Sequence, residues 1–100
     1  MPQRKKLQPI HPGELLRDEL EEIGVSLNEL ARALRVPMNR VSALVNGKRS
    51  ITADSAMRLA RYFSTSPQYW LNLQTAYDLE VADAEIGSKI EREVLPRNAA

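Results

Sequence analysis

The chain has 100 residues, of which 43% are hydrophobic, and its 14 basic and 13 acidic side chains give a net charge of +1 at pH 7. This length predicts one domain, and the absence of cysteine excludes a disulfide framework and a thiolate metal site. No apolar run approaches the roughly 20 residues that span a bilayer, and no apolar segment follows the basic start of the chain. We therefore expect a cytoplasmic protein with no signal peptide and no contact with a membrane.

The small net charge hides an uneven distribution. Residues 32–61, which we call the basic block, contain seven basic residues and a single acidic one, Asp54, for a net charge of +6. The segments before and after it have net charges of −2 and −3. A localised basic surface is typical of proteins that bind nucleic acid, although a charge run without a motif is more often a solvated helix face.

The first predicted elements are a flexible basic arm over residues 1–10 and a helix that begins at His11-Pro12-Gly13. Proline is favourable at the first helical position because its missing N–H needs no partner there, and Gly24 predicts the end of the helix. The arm precedes a domain predicted over residues 11–80, and a partly helical extension is predicted over residues 81–100.

Residues 26–47 predict two short amphipathic helices joined by a tight turn. Ser26 and Glu29 form the S-x-x-E pattern of a capping box, and the small Ala31 suits a close helix crossing. The next helix is predicted to begin at Pro37 and to end at Gly47. Arg35 occupies a turn position where many helix-turn-helix units have glycine and φ is often positive, so we expect either strain of order 1 kcal/mol there or a slightly different turn. This pattern is that of a helix-turn-helix, whose second helix enters the major groove of DNA.

Three further helices are predicted after the motif. One is capped by Thr52, the next opens at Ser66 and Pro67, and a weaker last helix runs from about Asp83 to Val94. No alternating strand pattern is present, so the fold class is all-α, with five helices and an additional C-terminal helix.

Catalytic and metal-binding patterns are missing from the sequence. His11 is the single histidine, and its place at a helix start favours a capping or exposed role over catalysis. The acidic residues of the first helix are typical of a solvated face, and no glycine-rich phosphate loop is present. We predict that the protein is not an enzyme and needs no metal or cofactor.

The second helix of the motif carries the predicted DNA contacts. Asn39 suits adenine, Arg40 suits guanine, and Met38 and Ala43 suit a thymine methyl group. Residues at the helix end and at the start of the preceding helix suit phosphate. The full set of predicted DNA-binding residues is Ser26, Asn28, Met38, Asn39, Arg40, Ser42, Ala43, Asn46, Lys48 and Arg49.

One recognition helix reads only a few base pairs, so we expect a twofold dimer with its two helices about 34 Å apart on a palindrome. Apolar residues near the C-terminus are candidates for the subunit contact, although the same residues could instead close the core of the monomer. The candidates are Trp70, Leu73, Tyr77, Ile86 and Ile90.

Three segments together resemble one family. HPGELL at 11–16, SLNELARALRVPMNRVSALVNGKRSITADSAMRLARYF at 26–63 and SPQYWLNLQTAYDL at 66–79 are similar to the HigA antitoxins, which are Xre-type helix-turn-helix proteins of toxin–antitoxin modules. The resemblance implies a five-helix, lambda-repressor-like domain, a homodimer and a palindromic operator in the protein's own promoter. It also implies neutralisation of a HigB-like toxin, an mRNA-cleaving protein, by direct binding.

Two alternatives remain open at this point. The chain could be a free-standing Xre-family transcriptional regulator without a toxin partner. It could also be a protein-interaction module whose helix-turn-helix no longer binds DNA.

Overall fold

The computed structural model describes residues 8–98, and every regular element in that range is helical. The helices are α1 (Pro12–Ile23), α2 (Leu27–Leu34), α3 (Met38–Val45), α4 (Ala53–Phe63), α5 (Pro67–Ala82) and α6 (Ser88–Glu93), with a π-helical segment (Asp83–Gly87) between α5 and α6. The predicted all-α class is therefore confirmed. Most of the predicted N-terminal arm, residues 1–7, lies outside the described residues.

Four helices begin with a side chain that caps a backbone N–H group. Nδ1 of His11 accepts from Gly13 at 2.9 Å, which confirms the predicted capping role of this histidine. The hydroxyl oxygens of Ser26, Thr52 and Ser66 each accept an N–H from three residues further along. Helix α3 differs, because Pro37 has the extended ψ of 148°. The helix therefore begins at Met38, one residue later than predicted.

Four helices end in a left-handed residue that reverses the chain. Gly24 and Gly47 have φ values of 71° and 73°, and the non-glycine residues Arg35 and Ser64 have φ values of 62° and 58°. At each end, a backbone N–H beyond the left-handed residue bonds to a carbonyl oxygen of the last helical turn, as in a Schellman motif. The positive φ expected at Arg35 is confirmed.

The core lies where α1 to α5 meet, and α2 and α3 contribute equally to it. Ala31, the small residue for which the sequence predicted a close helix crossing, is buried in this core. The buried apolar residues are Leu16, Leu20, Leu30, Ala31, Leu34, Val41, Leu44, Val45, Ile51, Ala56, Leu59, Ala60 and Trp70.

The predicted C-terminal helix is present, but it continues α5 without a break. Asp83 and Ser88, at the two ends of the π-helical segment, both keep right-handed helical dihedral angles. None of the residues in this segment or in α6 is buried. Val94 is extended, two residues before Pro96, and ends the helix. No helix within residues 8–98 combines the length and the apolar character needed to cross a membrane.

Candidate nucleic-acid interface

The start of α2 is fixed by the capping box that the sequence predicted. Ser26 Oγ accepts the N–H of Glu29 at 3.1 Å, and Glu29 Oε1 accepts the N–H of Ser26 at 2.8 Å. This backbone hydrogen bond is the main reason why the pKa of Glu29 is lowered from its usual range. Asn28 is exposed beside the cap, so Ser26 and Asn28 lie at the helix end where a phosphate would be favoured.

The turn between α2 and α3 carries positive charge onto the same surface. Asn28 of α2 and Met38 of α3 line one shallow cleft, together with Arg32 and Arg35. Arg35 is exposed and its backbone is left-handed, which turns the chain sharply from α2 into α3. The cleft brings predicted residues of both helices together beside two arginines.

The residues that the helical spacing placed on the outward face of α3 are exposed or half-buried in the structure. Met38 and Asn39 are exposed, and Ser42 and Ala43 are half-buried one turn later. The opposite face, with Val41, Leu44 and Val45, is buried in the core. Helix α3 therefore presents a short strip of polar and small side chains away from the body of the protein.

The C-terminal end of α3 is held by α1 through Arg17, a residue that sequence reasoning missed. Its guanidinium donates to the side-chain oxygen of Asn46 and, at 3.4 Å, to the carbonyl oxygen of Val45. Asn46 in turn donates to Ser42 Oγ at 3.3 Å. Arg17 and Asn46 also line a cleft that reaches Ser26, so the end of α3 and the start of α2 share one edge of the surface.

The loop that carries Lys48 and Arg49 is also tied to the rest of the fold. The N–H of Lys48 donates to the carbonyl oxygen of Ala43 at 2.9 Å. The N–H of Ile51 donates to the side-chain oxygen of Gln74 at 2.8 Å, and Gln74 is a buried residue of α5. Both basic side chains are exposed. They are therefore carried on an anchored backbone directly after α3.

Arg40 lies at the margin of α3, and its guanidinium is engaged within the protein. Nη2 is 2.5 Å from Asp54 Oδ1 and 3.0 Å from Ser55 Oγ. The same Asp54 oxygen accepts from Nε of Arg58 at 2.7 Å. These hydrogen bonds, with that from Arg58 the larger influence, lower the pKa of Asp54. The i, i+4 spacing of Asp54 and Arg58 indicates their ion pair in the sequence, but it does not indicate the contact of Asp54 with Arg40.

The five candidate residues for a subunit contact do not share one environment. Trp70 is 4% exposed and donates its indole N–H to Thr65, so it closes the core of the monomer. Leu73 packs partly against that core, and the ring of Tyr77 lies edge-on to His11 with the centroids 4.9 Å apart. Ile86 and Ile90 are 45% and 47% exposed on the C-terminal helical extension. Only these last two present a large apolar surface to solvent.

The buried α2–α3 pair, its tight turn and the outward polar strip define a helix-turn-helix protein of the DNA-binding class. A helix-turn-helix family model matches residues 16–70, which is more than half of the chain.

Similarity to solved structures identifies the family within this class. A HigA-family addiction module antidote protein from Coxiella burnetii has a TM-score of 0.89 and 54% sequence identity, and the match covers 91% of this chain and 100% of that one. The Pseudomonas aeruginosa antitoxin HigA, solved with the higBA promoter, has a TM-score of 0.86 and 52% identity, covering 90% of this chain and 99% of that one. The chain belongs to the HigA family of Xre-type helix-turn-helix proteins.

A curated relative from Escherichia coli K12, the uncharacterized HTH-type transcriptional regulator YbaQ, is 48% identical over 73 residues. The match covers 72% of this chain and 65% of that protein.

Proposed function

We propose that this chain is an antitoxin that binds operator DNA as a homodimer and thereby represses its own toxin–antitoxin operon. The observation that carries the proposal is the outward strip of α3, which the protein's own core leaves uncovered and which Lys48 and Arg49 follow directly. A relative that shares 52% of its residues was solved with a promoter, which supports the proposal that this chain binds DNA.

The base contacts fall to the first two turns of α3. The exposed amide of Asn39 matches the paired donor and acceptor of adenine, and Met38 and Ala43 match a thymine methyl group. Met38 and Asn39 occupy the first turn of the recognition helix, the part that meets base edges in helix-turn-helix complexes, and Ala43 follows one turn later.

The phosphate contacts are made by residues at both ends of the helix-turn-helix. Lys48 and Arg49 follow α3, while Ser26 and Asn28 mark the positive end of the α2 dipole. Asn46 lies between these two groups, and its bond to Arg17 holds its amide in one orientation. Phosphate contacts on both sides of α3 would fix its register in the groove.

The dimer would use the C-terminal helical extension. Ile86, Ile90 and Val94 recur every four residues, and all three are exposed apolar side chains. Burying this stripe against a second copy would remove apolar area that a monomer leaves in water. A twofold pair would then read two half-sites of a palindrome, about 34 Å apart.

The DNA-binding proposal is tested with the chain's own upstream region in a gel-shift or anisotropy titration. We expect Asn39→Ala to weaken operator binding by about 1–3 kcal/mol and to relax preference at one base pair. The matched control is Asn72→Ala on α5, which removes an exposed amide that bonds to Gln68 outside the motif. Equal effects of the two variants, or no shift of the upstream region at low salt, would refute operator binding through α3.

The toxin part of the proposal is that the protein acts in the cytoplasm and neutralises a HigB-like, mRNA-cleaving toxin by direct binding. The test is co-expression with the product of the neighbouring open reading frame. We expect that product to stop growth when it is expressed alone, and this chain to restore growth and to co-purify with it. A neighbouring product that is harmless, or that does not bind, would refute this part while leaving DNA binding intact.

The second candidate function is a free-standing transcriptional regulator with the same DNA contacts and no toxin. The 48% identity to an HTH-type transcriptional regulator from E. coli favours it. The co-expression experiment separates the two candidates, because only an antitoxin restores growth.

A further inference from the structure

One carboxylate of α4, the helix that follows the helix-turn-helix, binds two arginines. Oδ1 of Asp54 lies 2.5 Å from Nη2 of Arg40 and 2.7 Å from Nε of Arg58. Asp54 is also the single acidic residue of the basic block, residues 32–61. Its charge is therefore opposite to that of every other charged side chain in this block.

The three residues, which we call the Asp54 clamp, join all three helices of this region. Arg40 belongs to α3, whereas Asp54 and Arg58 belong to α4. Arg58 Nη1 also donates to the carbonyl oxygen of Leu34 at 2.8 Å, so the clamp reaches the C-terminal end of α2. It therefore ties the recognition helix to the helices on both sides of it.

Arg40 is held more firmly than an ordinary surface arginine. Its side chain is only 18% exposed, and Nη2 donates to the hydroxyl of Ser55, a buried residue of α4, as well as to Asp54. An exposed ion pair alone contributes little, but several bonds that converge on one guanidinium restrict its orientation. Moving Arg40 to a base would break both bonds.

The clamp also changes what the two arginines can do for DNA. Affinity for DNA of any sequence rises with the number of cations that contact phosphate, and so does its dependence on salt. A guanidinium stays charged at any physiological pH, so it cannot be withheld from phosphate by deprotonation, whereas pairing with a carboxylate can withhold it. The lowered pKa of Asp54 keeps its carboxylate ionised down to acidic pH, and protonation would release the arginines only as the pH falls below that lowered value.

We propose that Asp54 is a specificity-determining positioning residue: it holds Arg40 and Arg58 away from phosphate and fixes the angle of α3. Operator recognition then depends on Asn39 and its neighbours, and Arg40 supports the helix without reading guanine. This inference rests on the proposed operator binding. It assigns to Arg40 a role different from the one that its position on α3 alone suggests.

The test compares Asp54→Asn with the wild-type chain on operator DNA and on a random duplex of equal length, over about 50–200 mM salt. We expect tighter binding of the variant to random DNA, with a salt slope steeper by up to about two units per subunit, because two arginines become available to phosphate. Operator affinity does not rise by the same factor, so the ratio of the two affinities falls. Asp54→Glu restores the charge, and we expect it to recover most of that ratio.

Two further variants separate this role from general electrostatics and from folding. Glu22→Gln removes one negative charge from the exposed face of α1, so it controls for net charge and leaves the slope unchanged. Arg40→Gln leaves the slope on random DNA unchanged and weakens operator binding without a change in base preference at any one position. Thermal unfolding checks that each variant is folded.

Several results would overturn the inference. An unchanged salt slope for Asp54→Asn on random DNA would show that the carboxylate does not keep the two arginines from phosphate. An equal gain on operator and random DNA would show that Asp54 is merely repulsive. A loss for Arg40→Gln that is confined to one G·C pair would return Arg40 to base reading. A wild-type chain without preference for its operator would instead refute the proposed function itself, and this inference would fall with it.

Discussion

Gly13 is the position where one added carbon should do the most damage, because α1 meets the backbone of α3 there. A Cβ built on Gly13 lies 1.8 Å from the carbonyl oxygen of Leu44, 2.8 Å from its carbonyl carbon and 3.0 Å from Cα of Val45. All three are main-chain atoms, so no side-chain rotation can relieve the contact. We therefore expect Gly13→Ala to force the start of α1 away from the end of α3.

The size of the effect follows from these distances. Restoring ordinary van der Waals contact requires a separation of roughly 1.5 Å between two packed helices. Overpacking a well-packed site costs about 1–3 kcal/mol, and a clash of a Cβ with main-chain atoms, which cannot rotate away, belongs at the upper end. A loss of about 3 kcal/mol lowers Tm by roughly 12–24 °C for a domain of this size. Operator binding should weaken as well, because the displaced segment is the end of the recognition helix.

The matched control is Gly24→Ala. Gly24 has a φ of 71° and no atom within 4 Å of its would-be Cβ, so the substitution carries the conformational cost without the clash, about 1 kcal/mol. Urea or thermal unfolding gives both values, and one fixed protein concentration keeps the concentration-dependent contribution of any self-association the same in the two measurements. Equal losses for the two variants would refute the close approach of α1 and α3.

Three smaller changes test other parts of the structure. Arg35→Gly should raise the free energy of unfolding by up to about 1 kcal/mol, because glycine adopts the left-handed conformation without strain. Arg35→Ala loses the same charge but should not raise the free energy of unfolding. Equal urea midpoints for the two variants would contradict this prediction. Gln74→Leu should lower the free energy of unfolding by about 1–3 kcal/mol, since the N–H of Ile51 loses its buried acceptor. An unchanged urea midpoint would show that this hydrogen bond contributes little to stability. Arg49→Ala should reduce the salt slope of operator binding by about one unit per subunit, whereas Arg92→Ala on α6 should not; if the two slopes match, Arg49 does not contact phosphate.

Local signals in the sequence were sufficient for the boundaries of most helices. The capping box of Ser26 and Glu29 and the glycine at Gly47 act within a few residues of themselves, so their effect is readable from spacing alone. Ser64 shows the limit of such reasoning. It adopts the same left-handed conformation as Gly24, but serine has no special preference for that conformation, so the residue type does not indicate it.

The hydrogen bonds that hold the candidate interface in place could not be predicted from the sequence, because they join residues far apart in the chain. Gln74 meets the N–H of Ile51 across 23 positions, and Arg17 meets Asn46 across 29. Neither a glutamine within a helix nor an arginine on an acidic helix indicates a partner at such a distance. Trp70 raises a related difficulty, since an apolar pattern does not say whether its partners are in the same chain or in another.

The Asp54 clamp also shows that the charge of the basic block has two separate consequences for DNA binding. Long-range attraction depends on the summed charge, so Arg40 and Arg58 still contribute to it when they are paired with Asp54. The salt slope depends instead on the cations that contact phosphate in the complex. Replacing Asp54 by asparagine adds one net positive charge but makes two guanidinium groups available. The association rate should therefore change as it would for any single added charge, while the slope changes by up to about twice the amount that one phosphate contact contributes.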